Sequence, residues 1–345
     1  MKEFLLELIA AEGPLPMDRY MALCLGHPRL GYYMTRDPFG AAGDFTTAPE
    51  ISQVFGELLG IWCVAAWEAI GSPAPFALVE LGPGRGTLMA DMLRATAKAE
   101  EFQAALQVHL VEMSPVLRQM QAEKLGGRAT WHDSIANLPD EPLIFVANEF
   151  FDALPVRQIE RRGEMFLERC VDARDGALVL AERPVPRLDL AAQGRHELSP
   201  VSSAIAQSLG GRVAALGGAG LVIDYGHLAS GVGDTVQALK AHKPCGILEH
   251  PGSSDLTAHV DFARLAAAFG AGGAEALPGM TQGQFLLAMG LEARAQRLAA
   301  QLSGTALQEF MAGVRRLVGD KEMGSLFKVL AVAQTNRGAL YPFET

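Results

Sequence analysis

A chain of 345 residues, 49% hydrophobic and 20% charged, can bury a large core as one elaborated domain or two. Its formal net charge of -10 argues against broad nucleic-acid binding, which needs a cationic face, and serves solubility or suits basic partners instead. Four cysteines, Cys24, Cys63, Cys170 and Cys245, lie far apart without C-x-x-C spacing, so neither a zinc site nor a disulfide framework is indicated and a reducing compartment fits.

Met1 to Ile9 carries acids and lacks both the basic start of a signal peptide and the Arg/Ser bias of a transit peptide, so the bacterial cytoplasm is the expected location. Lys2 to Ala11 reads as a short helix, and Pro14 to Pro16 separate it from a second, Met17 to about Leu25. A polar loop follows from Thr35 to Thr47, long enough to be mobile or functional. Thr47, Pro49 and Glu50 then read as a capping box opening a helix. Its residues Ile51, Val54, Phe55, Leu58, Leu59 and Trp62 form one apolar face, the mark of core packing. The apolar stretch Leu58 to Ile70, edged by Glu57 and Glu68, is too short and too polar to span a membrane, so no membrane insertion is expected.

Phe76 to Gly86 is the most informative stretch. An apolar run with an acid near its end breaks into glycines at 82, 84 and 86, which reads as a buried strand turning onto a helix, Thr87 to Ala97. Glycine permits positive φ and close approach of a ligand, and the helix start offers unpaired N–H groups. Leu106 to Met113 is a second strand ending in Glu112, followed by a helix from Val116 to Leu125. Ala129 to Ser134 is a third strand edge, and Leu143 to Phe151 a fourth. Strands alternating with helices make an open parallel sheet whose ligands sit at the carboxyl ends of the strands, where Glu80, Glu112, Asp133, Asn148 and Glu149 all fall.

From Val156 to about Glu182 the pattern changes to antiparallel strands turning at Gly163 and Asp175-Gly176. Pro184 to Pro200 passes into a helix from Val201 to about Leu216, and Leu221 to Gly226 resumes the parallel sheet. Asp234 to His259 is polar, Val260 to Phe269 is a helix, and Ala274 to Pro278 and Phe327 to Ala333 are strands. Two amphipathic helices, about Gln282 to Leu302 and Ala306 to Val318, lie between those strands. The expected organisation is an N-terminal helical region with the loop (1–75), a nucleotide-binding core (76–155), inserted strands and a helix (156–218), and the rest of the sheet (219–345) with a helical insertion at about 282–318.

A dinucleotide turn would read G-x-G-x-x-G, which disfavours a nicotinamide dehydrogenase here because Thr87 stands where that pattern wants glycine. E-L-G-x-G-x-G matches instead the turn of class I S-adenosylmethionine-dependent methyltransferases. For that cofactor, Glu80 could hold the ammonium, Glu112 both ribose hydroxyls, and Asp133 the adenine amino group. Each of these acids could equally be a solvated strand-end residue or a helix cap.

Five blocks together resemble the MidA family: Gly31 to Met34, Gly43 to Gln53, Glu80 to Leu88, Asn148 to Pro155 and Leu256 to Phe262, with the resemblance running on to Met323 to Lys328. That family includes the mitochondrial methyltransferase of respiratory complex I assembly. The resemblance implies an α/β class I methyltransferase (Rossmann-like) sheet with an N-terminal helical extension and inserted strands and helices. It implies S-adenosyl-L-methionine as methyl donor, S-adenosyl-L-homocysteine as product, and an arginine of a protein substrate as acceptor. In the mitochondrial relative that substrate is a complex I core subunit, dimethylated symmetrically. Glu149 and Asp152 are placed to hold the guanidinium, although Asn148 to Asp152 does not reproduce the glutamate pair of other arginine methyltransferases. His259, with Asp261, is placed on the acceptor side, the alternatives being a structural Asp152 and a hydrogen-bonded histidine before a helix with Asp261 near its N-cap. Met113, Ser134 and Asn148 complete the expected cofactor set, and Asp44 with Phe45 is expected to cover it. No metal is expected. A homodimer, a different acceptor and a cofactor-binding assembly chaperone without turnover stay open.

Overall fold

The computed structural model describes residues 1–35, 37, 47–335 and 340–343, so the expected cover by Asp44 and Phe45 lies outside the described residues. Two compact units interleave along the chain. Unit 1 draws on Met1–Phe45, Asp152–Ala204 and Ala229–His259, and unit 2 on Thr46–Phe151, Ile205–Leu228 and Val260–Thr345.

Unit 2 is built on one sheet. Its strands run in the order Glu275–Ala276, Phe327–Ala333, Gly218–His227, Leu143–Asn148, Phe76–Leu81, Leu106–Val111, Ala129–His132. The last five are mutually parallel, and Phe327–Ala333 enters antiparallel between Gly218–His227 and Glu275–Ala276. Phe76–Leu81 and Leu143–Asn148 are buried at every position, as parallel strands covered on both faces must be. Side chains alternate across the sheet, so Phe76 and Leu78 share a face with Val108, Leu110, Ile144, Val146, Leu221 and Ile223. The helix Gln53–Ala69 covers that face with Val54, Phe55, Leu58, Leu59 and Trp62, confirming the apolar stripe. Its one buried acid, Glu57, is held by Arg294 at 2.6 Å and Arg94 at 3.2 Å.

Several local readings need correction. The helix after the polar loop is two helices, Ala48–Ile51 and Gln53–Ala69. Thr47 makes no side-chain cap, and it is Ser52 whose hydroxyl accepts from the Val54 amide. Glu50 reaches forward to the Thr87 hydroxyl at 2.5 Å, so the expected capping box does not form. Gln282 to Leu302 is likewise two helices, Gln282–Ala288 and Leu291–Ala299, parted by Gly290 in the left-handed region. The helix after the glycine turn ends at Ala95, and the one after His259 starts at Phe262 with Asp261 as its N-cap.

Unit 1 packs the helices Lys2–Glu12 and Met17–Gly26 around Leu5, Ile9, Tyr20 and Met21, with Val156, Val171 and Leu256 in the same core. Its larger sheet centres on Met165–Arg174, antiparallel to Arg157–Arg162, Ala177–Pro184 and Leu15–Pro16. Gly194–Leu198, inside the segment read as a proline-rich connection, pairs with Arg157–Arg162. The polar stretch 234–259 contains a further small sheet of Gln237–Lys240, Lys243–Cys245 and Asp255–Thr257. Charge holds the larger sheet as well as backbone pairing: buried Glu168 takes Arg157 and Arg183, each at 2.6 Å.

Neighbouring strands in unit 2 approach closely. A Cβ on Gly220 would lie 2.0 Å from the Phe145 ring, which stacks on Phe269 at 5.9 Å. Gly220→Ala is therefore expected to destabilise unit 2 by about 1–3 kcal/mol, the cost of overpacking, read as a lowered midpoint in urea unfolding.

Candidate active site

The glycine turn has the backbone its sequence demands, with Gly82, Gly84 and Gly86 at φ 61°, 52° and 74°. A Cβ on Gly82 would stand 3.0 Å from the Phe150 ring, so the turn after Leu143–Asn148 abuts the turn after Phe76–Leu81. Gly86 is the N-cap of the helix Thr87–Ala95 and offers that helix no side-chain cap.

Glu80 lies beside that helix start. It is on the face of Phe76 and Leu78, is 3% exposed, and has the Met89 amide of the helix's first turn close by. Its second oxygen, Oε2, is buried without a hydrogen-bond partner among the described residues. Burial pushes the Glu80 carboxyl up to about 8; the nearby Met89 amide opposes the shift and the Glu112 charge adds to it.

Glu112 follows directly on the second strand. Its Oε1 accepts from the Ser114 amide at 2.7 Å and its Oε2 from Gln121 Nε2 at 3.3 Å. Burial raises its pKa, opposed by the hydrogen bonds from Ser114 and Gln121, by the nearby Met113 amide and by the Arg118 charge. Arg118 donates to the Glu112 carbonyl and, at 2.6 Å, to Asp133. Asp133 is thus an exposed acid, its side chain 82% accessible, in an ion pair at the rim. Met113 is 61% exposed, and the Ser134 hydroxyl caps the short turn Ile135–Asn137 through the Ala136 amide.

Asn148 and Glu149 end the fourth strand. Asn148 is buried on the same face as Glu80, its Nδ2 donates to Glu149 Oε1 at 3.2 Å, and its Oδ1 has no hydrogen-bond partner among the described residues. Glu149 takes φ 50°, a left-handed backbone unusual for a residue with a Cβ, and its carboxylate also accepts from the Ala48 amide at 3.2 Å.

The structure thus gathers Glu80, the three glycines, Glu112, Asn148 and Glu149 at one edge of unit 2, whereas Asp152 and His259 belong to unit 1. There the Asp152 carbonyl accepts from the Ala258 amide at 3.0 Å, and the His259 amide donates to Thr235 Oγ1 at 2.9 Å. Asp261 caps its helix through the Arg264 amide, the alternative already open for it. Gln121, Arg118 and Trp131 were not singled out from the sequence. Gln121 did leave a signal, because it sits on the helix Pro115–Leu125 at the buried-stripe spacing Leu117, Gln121, Leu125, where an apolar residue is expected.

Residues 58–278 match the family described as "Putative S-adenosyl-L-methionine-dependent methyltransferase". The chain belongs to this family. Over 363 residues it is 38% identical to protein arginine methyltransferase NDUFAF7, mitochondrial, of Danio rerio, covering 95% of this chain and 86% of that protein. With the Homo sapiens protein of the same name it shares 34% over 372 residues, 98% of this chain and 84% of that one. A superfamily member from Burkholderia thailandensis, crystallised with S-adenosyl-homocysteine bound, superposes with a TM-score of 0.85 at 30% identity, over 98% of this chain and 92% of the other.

This methyltransferase uses S-adenosylmethionine, and its residues fit that cofactor: beside the glycine turn, Glu80 Oε2 is a buried carboxylate oxygen without a hydrogen-bond partner among the described residues, a place where an ammonium could be held. Glu80 would hold the ammonium and Glu112 the ribose hydroxyls.

Two outcomes follow. Glu112→Ala is expected to weaken S-adenosylhomocysteine about a hundredfold by calorimetry, the loss of two hydrogen bonds to a charged group. The second concerns pH. A carboxyl raised from 4.5 to about 8 favours the folded state while it is protonated, a contribution complete below about 4.5 and lost as pH rises through about 8. An ammonium bound against Glu80 favours the ionised form instead. Affinity for S-adenosylhomocysteine is therefore expected to rise from about pH 6 to about pH 8, and the rise to vanish in Glu80→Gln.

Proposed function

We propose that this methyltransferase modifies arginine side chains of a protein substrate, as the names of its NDUFAF7 relatives describe for those proteins. The observation that carries the reading is Glu149: a carboxylate at the ligand edge of the sheet, on a left-handed backbone, oriented by Asn148 and by the Ala48 amide. The cofactor supplies an electrophilic methyl group on a sulfonium.

What remains for the protein is to align and desolvate a nitrogen nucleophile. A guanidinium is planar and matches a carboxylate through paired N–H donors, so Glu149 can fix the plane of the acceptor. Glu149 also draws positive charge away from the nitrogen that must attack and lose its proton. The net charge of -10 favours the approach of a basic segment over that of an acidic one. Asp152 and His259 are not needed for this reading, which rests on Glu149 alone.

The complex I core subunit expected from the family resemblance is the first substrate to test. Mass spectrometry of complex I peptides from cells with and without this protein is expected to show an arginine whose dimethylation depends on it. Glu149→Gln is expected to bind S-adenosylhomocysteine within a few-fold of wild type while methylation falls by about a hundredfold or more. A fully active Glu149→Gln removes the role assigned to Glu149.

A further inference from the structure

We propose that Gln121 is a positioning residue for cofactor binding, setting the Glu112 carboxylate against the glycine turn so that both its oxygens face one ligand. The proposal rests on the reading of Glu112 as the ribose-holding residue.

Gln121 is fully buried, with 0% exposure, on a helix stripe otherwise occupied by Leu117 and Leu125. A buried primary amide must satisfy its polar ends, and here the partners dictate its orientation. The Trp131 indole can only donate, and it does so to Gln121 Oε1 at 2.8 Å. The amide nitrogen therefore points the other way, towards two acceptors: the Gly84 carbonyl at 2.7 Å and Glu112 Oε2 at 3.3 Å. Both N–H groups are used. The stem of the same side chain also lies against the far end of the turn, since a Cβ on Gly86 would sit 3.4 Å from Gln121 Cγ.

One side chain thus links the first turn, the second strand end and the third strand. Ser114 holds Glu112 Oε1 from one side and Gln121 holds Oε2 from the other, which fixes the carboxylate plane. An ionised carboxylate has about four acceptor positions, so after these two bonds each oxygen keeps one for a vicinal hydroxyl. A leucine at 121 would fill the volume but strand the Trp131 N–H and the Gly84 carbonyl. A glutamate would keep the volume and the Trp131 hydrogen bond while putting an acceptor where the donor stood, facing the Glu112 charge.

Calorimetry on the full chain with two probes tests the assignment: S-adenosylhomocysteine and its 2′,3′-dideoxyribose analogue. Wild type is expected to prefer the hydroxylated ligand by about a hundredfold. In Gln121→Glu and Gln121→Leu, S-adenosylhomocysteine is expected to weaken about tenfold while the analogue changes by less than about threefold, so the preference contracts. Equal weakening of both ligands, as a purely structural residue would give, overturns the proposal, and so does unchanged preference. Should wild type fail to distinguish the probes, the ribose reading of Glu112 falls and this proposal with it. Should wild type distinguish them and Glu112→Ala abolish the distinction while both Gln121 variants retain it, only the role of Gln121 falls.

Discussion

Burying a carboxylate beneath a turn of left-handed glycines is the constraint on which the ligand edge of unit 2 depends. Gly86 must take positive φ for the chain to enter the helix Thr87–Ala95, and a glycine has no side chain with which to cap that helix. Glu80 reaches the start of that helix from the preceding strand, beside the Met89 amide. It can do so only from inside, because it shares the face of Phe76 and Leu78 and is covered by the core. Removing a carboxylate from water costs several kcal/mol unless its oxygens are satisfied, and Oε2 of this one has no hydrogen-bond partner among the described residues. A cationic ligand group held there would offset that cost.

The rest of the edge is held in the same manner, by side chains tying one strand end to the next. Arg118 joins the Glu112 carbonyl to Asp133, and Gln121 joins Gly84, Glu112 and Trp131. Glu50 and Lys124 meet at the Thr87 hydroxyl, while the Ala48 amide reaches Glu149. Backbone pairing stops at the ends of the strands, so loops beyond them would wander without such ties. Donors and acceptors fixed before a ligand arrives need no reorganisation when it binds, which is where polar groups act most strongly.

The parts of this architecture that could be read from the sequence are those set by local rules. Buried parallel strands are continuous apolar runs, and a strand-to-helix turn with positive φ calls for glycine, so Phe76 to Gly86 is legible in the sequence, as are the second and fourth strands, although these stop at Val111 and Asn148 rather than at Glu112 and Phe151. What escaped is set by partners far along the chain. Gly194–Leu198 and Asp255–Thr257 are too short to show a period and exist only because a distant strand pairs with them. Glu50 had the spacing of a capping box, but a hydroxyl 37 positions away took it. The glycine spacing points to the cofactor and the family resemblance to the acceptor class; neither points to Gln121, which only the burial of the helix stripe picks out.

Glu149 shows why a strand end was built against local preference. A left-handed backbone costs a residue with a Cβ about 1–2 kcal/mol, and a glycine at 149 would remove that cost. The conformation is held from three directions: the Glu149 amide donates to the Ile223 carbonyl, Asn148 donates to its carboxylate, and so does Ala48. Two of those bonds end on the side chain, so the strain and the placement of the carboxylate are a single feature. A purely structural turn would relax by losing the side chain. A strained acid at this strand end is what the proposed arginine acceptor would need, since a cationic, planar nitrogen group is the partner such a charge suits.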